Sequence, residues 1–178
     1  MTNKAFETFL LSQQIDSPET ISKAKNRKAL FLKKTQEFFA SVESFIAQYV
    51  DRGQIRIVSG ETILTEEWVG TYKIENRTIE IGGKEAHIVP VGAFIFGAKG
   101  RIDMIYRSKT VRFVLVEPSA VPAIRMMTLD EHIKEKHSQK LEEEPVWKIA
   151  SPPPRITFTN FDQDTFLLSL MDVFHVQN

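Results

Sequence analysis

The sequence predicts an α+β fold: N-terminal helices, one of them long, packed on one face of an antiparallel meander of about six strands, with a C-terminal helix on the same face. Three observations carry this. Apolar residues recur at helical spacing over roughly 18–50, the period then drops to two over 54–117, and a capped apolar segment closes the chain after 155. The segments between the period-two runs are too short for crossover helices, so neighbouring strands run antiparallel. The chain reads as one domain: a helical part over 1–52, the sheet over 54–117, a polar excursion over 118–154, and a last strand with its helix over 155–178.

The long helix starts at Ser17-Pro18-Glu19. The Ser hydroxyl can meet free amides, Pro suits the first helical position, and the acid sits at the positive end of the dipole. Phe31, Thr35, Phe38, Val42, Phe45 and Tyr49 then alternate in steps of four and three, and Phe39, Ile46 and Val50 widen the stripe. Arg52-Gly53 ends it. A shorter helix over about 4–13 is expected before it, packing Phe6, Phe9 and Leu10.

The strands begin at Ile55 and Ile57. Tyr72 and Ile74 alternate with Lys73 and Glu75, and Ile79 and Ile81 with Glu80, so Asn76-Arg77 and Gly82-Gly83 read as tight turns. Glu85–Val91, Arg101–Tyr106 and Thr110–Glu117 continue the pattern, Val111–Val116 being apolar enough for a central strand. Thr128-Leu129-Asp130-Glu131 resembles a capping box and opens a polar helix to about 141. Trp147 and Ile149 suggest a short strand, and Arg155–Thr159 a last one. Asp162 caps the final helix, with Phe161 and Phe166 as its hydrophobic staple.

Several chemistries are excluded or disfavoured. Without Cys there is no disulfide, thiolate nucleophile or Cys-ligated metal. His132 and His137 are five apart, not the three or four that one metal needs on a helix, and no nucleophile elbow occurs. Gly92–Gly100 is Gly-rich, but Lys99 is followed by Gly100-Arg101 and a strand rather than by Ser or Thr opening a helix, so a bend between strands is expected. Asp103 and Glu117 lie on successive strands, a layout that resembles the restriction-endonuclease core without its Glu-x-Lys, since Pro118-Ser119 follows Glu117. An ion pair for Asp103 is the expectation. With Arg107-Ser108-Lys109 as the loop, Asp103 shares a face with Phe113; a one-residue shift sets it diagonal to Arg112.

Charge is uneven. The 178 residues hold 23 Lys and Arg against 23 Asp and Glu, yet residues 1–60, 61–120 and 121–178 carry +3, 0 and −3. Lys23, Lys25, Arg27, Lys28, Lys33 and Lys34 fall within twelve residues in the N-terminal half of the long helix, where the dipole does not ask for them. They are the candidate docking site for an acidic partner. The thirteen Phe, lacking a polar tip, are expected to point inward. Trp68 and Trp147 stand beside acids and are expected at the edge of the core, a half-exposed contact role being the alternative.

The function expected on these grounds is a cytoplasmic, non-catalytic protein-binding or regulatory module, like an immunity, adaptor or chaperone protein. Its partner is another protein or a second copy; no cofactor, metal or membrane is expected. The alternative is a carboxylate-dependent enzyme, hydrolase- or nuclease-like, using Asp103 and Glu117 with help from Glu66 or Glu67. A weaker alternative is nucleic-acid binding through 23–34.

Overall fold

The computed structural model describes residues 18–120 and 143–175. The expected helices over 4–13 and 128–141, with His132 and His137, lie outside the described residues. Helix α1 (Pro18–Asp51) has 34 residues and, at 1.5 Å per residue, extends about 50 Å. Phe31, Phe38, Val42 and Ile46 along its stripe are fully buried. Gly53, at φ +68°, turns the chain out of the helix and donates its amide to the Val50 carbonyl at 2.9 Å.

Seven strands follow in one sheet: β1 (Arg56–Glu66), β2 (Gly70–Ile81), β3 (Lys84–Gly92), β4 (Gly100–Tyr106), β5 (Lys109–Val116), β6 (Val146–Ala150) and β7 (Phe158–Asn160). Their spatial order is their chain order and every neighbouring pair is antiparallel, so the meander has seven strands rather than six. Gly82-Gly83 makes the expected two-residue turn, both residues at positive φ. β5 is central as expected, with Val114 and Val116 buried on one face and Phe113 and Leu115 on the other.

Asn76-Arg77 is not a turn. It lies mid-strand in β2, and the β1–β2 turn falls at Glu67–Val69. What breaks there is the phase of burial: Tyr72 and Ile74 point inward, then Arg77 and Ile79. β1 changes phase opposite, from Ile57 to Thr62 and Leu64, while the ladder stays in register from Arg56↔Glu80 to Glu66↔Gly70. β3 pairs with β2 only from Arg77 onward, so the first half of the ribbon is two-stranded and free to twist strongly. Gly60 sits at the crossing, where a Cβ would lie 2.6 Å from Asn76 Oδ1.

Helix α2 (Gln163–Phe174) lies against β3, β4, β5 and α1. Asp162 caps it through the Thr165 amide, in a capping box with the Thr165 hydroxyl, and the Phe161 and Phe166 rings pack edge-on at 6.1 Å. Phe38 is the hub of the core. Its ring stacks on Phe161 at 4.6 Å and meets Phe113 and Trp147 at 5.0 and 5.3 Å. The Trp147 indole N–H donates to the Lys34 carbonyl at 2.8 Å, so this Trp belongs to the core.

Candidate functional site

Five of the six clustered bases of α1 are engaged within the chain. Lys23 pairs with Glu19 at 2.7 Å, and Lys28 lies 4.3 Å over the Tyr72 ring. Lys33 lies 3.6 Å from Glu37 and 3.8 Å from Glu144; Lys34 reaches both acids at 2.8 Å. Burial opposes the Lys34 ammonium, but hydrogen bonds to Glu144 and Glu37 outweigh it and hold its pKa above the usual lysine value. The same bond holds Glu144 below the usual carboxylate range. Lys25 alone of the six makes no ion pair, hydrogen bond or ring contact among the described residues.

Arg27 does something the charge pattern did not show. Its guanidinium donates to the carbonyls of Ala93 at 2.9 Å and Ala98 at 2.6 Å, with a longer contact to Ile95 at 3.5 Å. It also lies 5.1 Å over the Phe94 ring. These groups belong to the connection between β3 and β4, residues 93–99. Glu66, at the end of β1, holds the other side: its carboxylate accepts from the amides of Ala93 at 2.7 Å and Phe94 at 3.0 Å, and from the Tyr72 hydroxyl. Burial, then the Glu66 carboxylate, pushes the Tyr72 phenol well above its ordinary pKa. Trp68, held at φ +65° in the β1–β2 turn, sets its ring edge against Phe94 at 5.7 Å.

The loop is closed at its tip by a bridge between Ile95 and Ala98, with Gly97 at φ +75°. Lys99 N–H donates to the Leu115 carbonyl at 2.7 Å. At the base, Gly100 lies on the buried Phe31 ring, where a Cβ would come 2.3 Å from Cδ2. The bend read from Gly92–Gly100 therefore forms, through close approach of backbone to side chains at both ends. Phe96 stands on the tip with 95% of its surface exposed. That departs from the inward rule for Phe, and the missed signal was its place between Gly92, Gly97 and Gly100, outside any strand.

Asp103 and Glu117 are not brought together. Asp103 is buried and takes a two-pronged bond from Arg101 at 2.7 and 2.5 Å, while Glu117 lies 3.7 Å from Lys99. Asp103 stands opposite Arg112, five residues from Glu117, about 16 Å at strand rise. The β4–β5 turn has two residues, not three, which sets Arg112 rather than Phe113 across from Asp103. Glu67 sits in the β1–β2 turn, its carbonyl accepting from Val69 at 2.9 Å. Among the described residues no three His, Asp or Glu are grouped as metal ligands. His87 shares a hydrogen bond with Thr78 at 3.1 Å.

Comparison with known proteins finds no matching family model, curated protein or solved structure. Among the described residues no helix is long and apolar enough to cross a membrane. The site with the most specific construction is the clamped loop: a cation and an anion, drawn from α1 and β1, fix five backbone polar groups around one exposed ring.

Proposed function

We propose that this chain is a non-catalytic protein-binding module, in the immunity, adaptor or chaperone class, and that Phe96 is its anchor. The observation that carries the reading is the contrast within one loop. The backbone of 93–98 is held by Arg27 and Glu66, while the ring it presents faces water. Burying a Phe side chain is worth about 1.5–3 kcal/mol, and a rigid loop loses little entropy when it docks. Aromatic anchors on ordered backbone are the usual centre of a protein interface. Trp68 and Val91, each about a third exposed, add apolar surface beside the loop. Electrostatic docking on an acidic partner or nucleic acid has weaker support, because Arg27, Lys28 and Lys34 are engaged within the fold and only Lys23, Lys25 and Lys33 of the run are left exposed.

Phe96→Asp and Val58→Asp, both at exposed side chains, are compared in affinity capture from the native host, with a photo-reactive phenylalanine at 96 in a third sample. The expected result is one stoichiometric partner that cross-links at 96, survives Val58→Asp and falls at least tenfold with Phe96→Asp. Equal retention by Phe96→Asp, or no stoichiometric partner, overturns the reading.

A further inference from the structure

About 33 Å along α1 from Arg27, at the spacing of 22 residues to Tyr49, the fold holds a second feature unrelated to the loop. Helix α2 carries two apolar stripes. Phe166, Leu170 and Val173 are buried in the core. Leu167, Met171 and Phe174 repeat the same spacing one residue on and line an open cleft of about 660 Å3. Tyr49, Ile55 and Ile81 form its other wall. That size is within the range of small-molecule sites, about 300–1,000 Å3. Leu167 and Phe174 are partly buried, Phe174 against Tyr106 at 5.0 Å, while Met171 remains 58% exposed, so the fold covers the second stripe only in part.

The charge at the cleft is that of Lys84. Lys84, just after the Gly82-Gly83 turn, and His175, at the end of α2, both line it, and no carboxylate among the described residues does. Lys84 makes no ion pair among the described residues. The His175 ring is oriented by its Nδ1–H, which donates to the Met171 carbonyl at 2.7 Å. Asp172, the acid nearest in sequence, is bound to Lys109 at 3.2 Å.

We propose that this cleft binds a single-chain amphipathic carboxylate, with the alkyl chain along Leu167, Met171 and Phe174 and the head group at Lys84. An apolar wall with one lysine and no carboxylate among its described lining residues selects such a ligand over a neutral or cationic one of the same length.

The intact chain is titrated calorimetrically with sodium dodecanoate below its micellar concentration, while the Met171 methyl is followed by NMR. One saturable site is expected, with the Met171 methyl shifting in step. Lys84→Glu is expected to weaken binding about tenfold, Met171→Trp to abolish it by filling the cleft, and dodecyltrimethylammonium to bind at least tenfold more weakly than dodecanoate. Both substitutions are at exposed side chains, and unchanged melting temperatures establish that the variants fold. Non-saturable uptake, an unmoved Met171 methyl, equal binding of the cationic amphiphile, or full affinity in Lys84→Glu overturns the proposal. None of these readings depends on a protein partner for Phe96.

Discussion

Removing the Glu66 carboxylate should release the Phe96 loop without touching the ring it presents. In Glu66→Ala the amides of Ala93 and Phe94 and the Tyr72 hydroxyl lose a shared acceptor, at 2.7 and 3.0 Å for the two amides. A hydrogen bond to a charged group contributes about 1.5–3 kcal/mol net, but Glu66 is only partly buried and water can replace it at some of these donors. The three together should therefore cost about 2–4 kcal/mol, less than their sum. For a chain of this size that lowers Tm by about 4–16 °C. Urea unfolding gives the total, and hydrogen exchange at Ala93 and Phe94 gives the local part, with acceleration of about 30-fold for each 2 kcal/mol of lost protection.

The same variant has a pH signature. Tyr72 is held above its ordinary value of 10.0 by burial first and by Glu66 second. A raised folded-state pKa stabilises the fold below the unfolded value, and that stability is lost as pH rises through and beyond it. Wild type should thus lose stability more steeply above pH 10 than Glu66→Ala, in which burial alone still holds Tyr72 up. A loss under about 0.5 kcal/mol, with exchange at both amides unchanged, would refute the clamp.

Gly100→Ala forces a methyl to within 2.3 Å of the fully buried Phe31 ring and should cost about 1–3 kcal/mol in urea unfolding. The cost should shrink in a Phe31→Leu background, and equal costs would show that the ring is not the obstacle. Thr35 is 1% exposed and its hydroxyl finds no partner among the described residues, so Thr35→Val, nearly the same shape, should stabilise by about 1 kcal/mol; a loss would reveal a bonded hydroxyl. Partner affinity through an apolar anchor should change less than about threefold between 0.1 and 1 M salt, where charge-driven docking is screened and falls steeply.

The helices were legible because their signals are local. The stripe of α1 and the Asp162, Phe161 and Phe166 arrangement of α2 each lie within a few turns of chain. The break at Asn76-Arg77 was not, because a change of face and a tight turn interrupt a period of two alike. Only the pairing partner distinguishes them, and Ser59 and Gly60 lie sixteen or more residues away. The register of Asp103 failed for a similar reason. Whether Arg107-Ser108 or Arg107-Ser108-Lys109 forms the loop decides which residue faces Asp103, and Arg107 takes a positive φ of 52° that favours the shorter turn. The carboxylate found its cation two residues back on its own strand, at Arg101, a spacing that strand geometry makes adjacent on one face.

The basic run was legible as composition but not as function, because what engages it comes from elsewhere in the chain. Arg27 meets carbonyls 66 and 71 residues on, and Lys34 meets Glu144. The second of these joins the positive first third of the chain to its negative last third, and Lys109 with Asp172 ties the middle to that end. The +3 and −3 thus neutralise each other in part inside the fold instead of standing as two opposed patches. Charged residues such as Arg27, Lys34 and Glu66 fix backbone and elements in place, and among the described residues Phe96, Ile63, Leu168 and Met171 are the most exposed large apolar side chains. On the proposed readings, apolar contact at Phe96 and in the α2 cleft comes first, and Lys84 sets which head group is accepted.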